Sequence, residues 1–192
     1  MTTVADTPTA KPTPVVYVGH LIGGAFGLAF ILFNGTWLPG AWQMVLSIVG
    51  ILVFVCVVAA FVITRRRQGA AAKSAVRFAG RYWLIVGIET ILLFGGLAVV
   101  RVVEPAAVLG WIALVVGVHF LPLAGLWREG RSELLAIGTV MAVLGLIGLV
   151  LAFASRDGEL VAFIAGVGSG VVLLGSSLLA ALRTLSGDRI RP

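Results

Sequence analysis

The chain reads as an all-α polytopic membrane protein: a six-transmembrane-helix bundle built of three helical hairpins, with the N- and C-termini cytoplasmic. Three observations predict this. The 192 residues are 60% hydrophobic and only 11% charged, with a mean hydropathy of +1.12; soluble domains average about 45–50% and about 25%. The apolar residues fall into six runs, each near the ~20 residues that a helix needs to cross a ~30 Å hydrocarbon layer. The basic residues collect in alternate loops, as in proteins oriented by the positive-inside rule. So short a chain cannot hide this excess in a water-soluble core. A soluble globular enzyme, a disordered chain and a disulfide scaffold are thereby excluded.

Residues 1–14 are polar and rich in Thr and Pro and predict a disordered cytoplasmic tail. The tail lacks the basic region of a signal peptide, so the run after it is expected to be retained. The spans are expected at 15–33, 41–64, 82–103, 105–127, 134–154 and 160–182, with a cytoplasmic tail at 183–192. None of the runs alternates with period two, as barrel strands would.

The loop 65–81 holds Arg65, Arg66, Arg67, Lys73, Arg77 and Arg81 and no acid. Arg128 and Arg131, and then Arg183, Arg189 and Arg191, fall on the same side. The opposite loops are uncharged, as at 34–40, or acid-balanced, as with Arg101 and Glu104 and with Arg156, Asp157 and Glu159. This asymmetry places both termini inside. The mix of 12 Arg against 2 Lys, with abundant Ala, Val, Gly and Leu, suggests a bacterium of GC-rich genome and hence its inner membrane. The basic loop serves topology, or its six cations hold anionic lipid head groups. The net charge of +6 is accounted for in this way, and no nucleic-acid partner is expected. The lone Cys56 excludes an intrachain disulfide and a multi-cysteine zinc site, and is expected to be a small buried hydrophobe.

Small residues recur every four positions: Gly19, Gly23 and Gly27 in the first span, Gly166 and Gly170 in the sixth. Such rows let helix backbones approach closely, within one bundle or in contact with a second copy or another membrane protein.

Ionisable groups at bilayer depth are costly and are a default pointer to function. Glu89 lies seven residues after Tyr82, which opens the third span, so it sits about 10 Å into the layer at 1.5 Å per residue. His119 lies eight residues before Trp127, the inner end of the fourth span, at nearly the same depth. His20, Thr139, Ser176 and Ser177 are expected to join them in a polar layer of the cytoplasmic half. Pro122 removes the helical partner of the Val118 carbonyl and is expected to kink the fourth span beside His119, where freed backbone would line an enclosed site.

Three readings of the Glu89–His119 pair stay open. It fastens two helices; it binds or passes a proton, ion or small solute; or, with His20, it holds a metal or haem. No spacing is a recognised ligand motif, so no cofactor is expected. No HExxH or GxSxG motif occurs, which argues against an enzyme without excluding one. The functional expectation is a carrier or ligand-binding protein for a small solute or ion. The alternative is a non-catalytic scaffold or subunit.

Overall fold

The computed structural model describes residues 14–68, 80–127 and 130–187. The tails expected at 1–14 and 183–192 lie largely outside the described residues, as do Lys73 and Arg77 of the basic loop. All regular structure among the described residues is helical. In chain order it comprises α1 (Pro14–Asn34), a 3-10 turn (Gly35–Trp37), α2 (Gly40–Gln68), α3 (Gly80–Val103), a 3-10 turn (Pro105–Ala107), α4 (Val108–Leu126) and α5 (Arg131–Ser155). Then α6 (Gly158–Val161) runs through a π-helical segment (Ala162–Val167) into α7 (Gly168–Gly187).

Five of these rods are long and apolar enough to cross a membrane: Gly40–Arg67, Gly80–Val103, Pro105–Leu126, Arg131–Ser155 and Gly158–Ser186. In α1 the described apolar stretch, Val18–Asn34, is shorter. The five rods mark a multi-pass membrane protein. Their outward faces carry large apolar side chains: Trp42, Ile91 and Val102 are among the most exposed, an arrangement suited to lipid and not to water.

Local chemistry sets the helix ends. Pro14 opens α1, where a missing N–H costs nothing. The Pro39 carbonyl accepts from Trp42 N and Gln43 N and starts α2. Arg65, Arg66 and Arg67 close α2 at the end where the helix dipole favours cations. Between α3 and α4, Glu104 caps the Pro105 turn by accepting from Ala106 N. Between α5 and α6, Arg156 takes a left-handed conformation with φ 56°, and Asp157 Oδ1 accepts from Leu160 N at 3.0 Å. Arg156 Nε also reaches Glu104 Oε2 at 3.4 Å. Glu104 therefore ties two turns together, rather than pairing with Arg101 as the acid balance of its own loop suggests.

The most extensive seam joins α4 to α5. It is built from small residues at seven-residue spacing on both helices: Gly110, Gly117 and Ala124 on α4, Gly138, Gly145 and Ala152 on α5, all six buried. A Cβ on Gly110 would stand 2.7 Å from Leu149 N, and one on Gly138 would stand 2.8 Å from Gly117 O. The two backbones are thus in direct contact, which is how helices associate where lipid is as apolar as the side chains. A second seam joins α1 to α7. There a Cβ on Gly27 would lie 2.6 Å from Leu174 N, and one on Gly170 would lie 2.8 Å from Gly27 O.

From these seams the neighbours follow in the order α3, α4, α5, α7, α1, with α2 against both α1 and α7. No residue of α3 is buried. Cys56 is exposed, which corrects its expected burial: the contacts of α2 cover Val57 and Ala60, and Cys56 lies at the edge of that covered stripe.

Candidate functional site

The third and fourth helices meet through a column of polar and aromatic contacts. At one end the Tyr82 and Trp127 rings lie 6.0 Å apart, with Trp83 at 5.5 Å from Tyr82. Next along α3, Glu89 Oε2 approaches His119 Nδ1 to 3.0 Å, with side chains 21% and 12% exposed. The imidazole nitrogen has no aligned hydrogen bond, so this is a close polar contact off the N–H direction. Farther along, Trp111 Nε1 donates to Leu92 O at 3.1 Å, and the same indole lies over Gly96 so closely that a Cβ there would enter the ring. The pair therefore sits between two aromatic contacts, inside the apolar length of both helices.

The other histidine makes a second pair. His20 Nδ1 on α1 lies 3.8 Å from Glu133 Oε1 on α5. His20 also lines a small cavity with Thr64 of α2 and Ser177 and Thr184 of α7. Thr64, Ser169 and Ser177 are buried hydroxyls. Ser177 Oγ donates to Leu173 O at 2.8 Å, whereas Thr64 Oγ1 and Ser169 Oγ have no protein partner. Both His–Glu pairs lie towards the helix ends that carry Arg65, Arg66, Arg67, Arg81, Arg131 and Arg183.

The polar residues thus form two separate His–Glu pairs and not one layer. Glu89 and His119 come together from α3 and α4, and Tyr82 lies farther along the same seam against Trp127. His20 does not join them; its partner is Glu133, an acid beside the start of the fifth expected span that the loop charges did not single out. Among the described residues no group of three or more His, Cys, Asp or Glu is placed to hold a metal. The set His20, Glu89 and His119 is therefore not assembled.

Thr139 is exposed on the side of α5 shared with Leu135 and Val140, because the buried side is set by Gly138, Met141 and Gly145. Pro122 is exposed as well, and α4 continues as helix through it to Leu126. It shares the exposed side with Val118, Leu121 and Gly125, so the backbone beside it does not line an enclosed site. Ser176 is half-buried and donates to Leu173 O at 2.9 Å.

Of the glycine rows, Gly27, Gly166 and Gly170 lie in tight contact, Gly23 stands beside Ser177 Oγ, and Gly19 has no neighbour within 4 Å. Gly166 meets the side chain of Asn34, whose Cγ lies 2.6 Å from where a Cβ would stand. Asn34 is itself buried, with Nδ2 donating to Phe30 O at 2.8 Å. A polar residue at the end of an apolar run was the available signal for Asn34. The close approach occurs on the π-helical segment, a local irregularity that often marks functional positions in helices. The side chains of Arg65, Arg66, Arg67 and Arg81 are exposed at their helix ends.

The chain matches no protein-family model, and neither characterised proteins nor solved structures give a match.

Proposed function

We propose that the protein is a six-span protein of the bacterial cytoplasmic membrane, with both ends inside, that carries a small solute or ion and uses intramembrane His–Glu pairs as proton-binding groups. One observation carries this reading: Glu89 and His119, from different helices, meet at 3.0 Å within the apolar length of both. A carboxylate is costly at that depth unless it has a partner or a task. Imidazole is the side chain whose charge changes most readily between pH 5 and 8. Together they offer a carboxylate that takes up a proton and an imidazole that gives or receives one. The second pair, His20–Glu133, supports the reading by placing another such couple toward the same side.

A second reading is favoured by the packing of α3. That helix has no buried residue and rests on α4 through Tyr82, Glu89, Leu92 and Gly96. On this reading the pair is a fastener, and the protein is a scaffold or subunit. An interhelical polar bond in a membrane averages only about 0.6 kcal/mol, so a single fastener is a modest use of an acid within an apolar helix.

Proteoliposomes loaded with a pH-sensitive dye separate the two. With a potassium diffusion potential as driving force, the carrier reading predicts proton entry above that of protein-free vesicles. Glu89→Gln should return it to the protein-free level with melting temperature unchanged. If wild-type and variant vesicles behave like empty ones, and Glu89→Gln melts lower, the fastener reading holds instead.

A further inference from the structure

The cavity beside His20 has a character of its own. It measures about 20 Å³ and is lined by His20, Thr64, Ser177 and Thr184 among apolar residues of α1, α2 and α7. A cavity needs roughly 10–15 Å³ of such volume, and two to four polar partners, to hold one water. Thr64 is 4% exposed, lines this space, and its Oγ1 has no protein hydrogen-bond partner. A buried hydroxyl left in that condition is destabilising. We propose that the cavity is a binding site for a single water molecule, shared by Thr64, Ser177, Thr184 and His20.

The hydrogen-bond inventory selects the ligand. Ser177 Oγ donates to Leu173 O, and Thr184 Oγ1 donates to the carbonyls of Ala180 and Ala181. Both therefore face a ligand as acceptors. Thr64 has its proton and its lone pairs uncommitted, and His20 turns Nδ1 toward Glu133. The site thus offers acceptors at Ser177 and Thr184, a Thr64 hydroxyl able to donate or accept, and the second ring nitrogen of His20. Water, with two protons to give and two lone pairs to fill, satisfies this set, and the volume admits one such molecule. An apolar molecule would leave Thr64 unsatisfied.

The placement gives the water a task. It stands beside the His20–Glu133 pair. Among the described residues, Glu133 of α5 is the charged group that the ring approaches, at 3.8 Å. From α2 and α7 the facing groups are the neutral Thr64, Ser177 and Thr184. Arg65, Arg66, Arg67 and Arg183 lie exposed at the same helix ends. The water therefore stands beside His20 in a partly open cavity, on the side of the membrane that these cations mark. The inference rests on the cavity alone and stands whether or not the protein carries a solute.

The full-length protein and its Thr64→Val variant test it. Valine keeps the shape of threonine and removes the hydroxyl. With water bound, the variant loses a partner of that water, and the melting temperature falls by about 2–4 °C, the shift expected for one hydrogen bond in a chain of this size. In a dry cavity the substitution removes an unpaired hydroxyl, and the melting temperature rises, which overturns the proposal. A melting temperature of the wild type that climbs with sodium or potassium concentration, and does so less in Thr64→Val, also overturns it by making the site one for a cation. A structure at better than about 2 Å supplies the direct readout: a density peak within hydrogen-bond distance of Thr64 Oγ1 supports the water, and its absence contradicts it.

Discussion

Ser169 and Glu89 are both polar residues at depth, yet only one was legible as a candidate. Glu89 could be located from sequence because depth is additive along a helix: each residue adds 1.5 Å, and the cationic loops give the origin. The same counting placed His119 at the matching level. Rotation about the helix axis is different. These helices are apolar all round, so no polar stripe announces which side faces inward. Thr139 was placed by depth with its partners but stands on the outer side of α5, and Pro122 likewise on α4. Glu133 was missed because a charge near a helix end reads as topology. Ser169 is fully buried with an unpartnered Oγ and is not part of the lining of the cavity beside Thr64. Removing its hydroxyl should therefore relieve an unmet hydrogen-bond demand. Ser169→Ala is expected to raise the melting temperature in detergent or leave it unchanged; a clear fall would mean that the hydroxyl has a partner.

Among the elements, α4 and α5 depend on absent side chains. The pairing of Gly110, Gly117 and Ala124 with Gly138, Gly145 and Ala152 is a seven-residue repeat, the period of two helices wound about each other. A search at four-residue spacing finds Gly138 with Ala142 and passes over the repeat. A Cβ on Gly145 would run into the Leu114 backbone, which cannot step aside without parting the helices. Gly145→Ala is expected to cost about 1–3 kcal/mol by overpacking. Gly125→Ala, with no neighbour within 4 Å, should be neutral or gain up to about 1 kcal/mol from helix propensity. Thermal unfolding of the two variants reads the difference, and equal melting temperatures would mean that the seam is looser than described. Helix α3 behaves in the opposite way, because it is held by contacts and not by burial. Trp111→Ala removes both the hydrogen bond to Leu92 O and the cover over Gly96. Amide hydrogen exchange across Gly80–Val103 should then rise well above that of α5, and unchanged exchange would show that α3 is held by something else.

The whole molecule is a set of helices whose outward faces suit hydrocarbon and whose two described histidines each meet a glutamate. The composition alone dictated that environment, since no compact arrangement of so apolar a chain leaves a wettable surface. It could not dictate the order of neighbours, because close packing among many small residues admits several arrangements of nearly equal apolar cover. Cys56 reports on the environment directly. In sealed vesicles it is expected to resist a membrane-impermeant maleimide added to either side and to react once detergent dissolves the bilayer, because an exposed thiol facing hydrocarbon is kept from water and from ionising. Labelling by the impermeant reagent from either side would put the thiol in water.

The contact between Glu89 and His119 inside the membrane underlies both functional readings, and crosslinking in native membranes tests it most directly. With Cys56 replaced by serine, Glu89→Cys and His119→Cys together should be bridged by a short bifunctional thiol reagent, while Glu89→Cys paired with Val118→Cys, on the exposed side of α4, should be bridged far less. Efficient bridging of the first pair alone is the predicted result. Equal bridging of the two pairs, or none of either, would contradict the pairing of α3 with α4 through these residues.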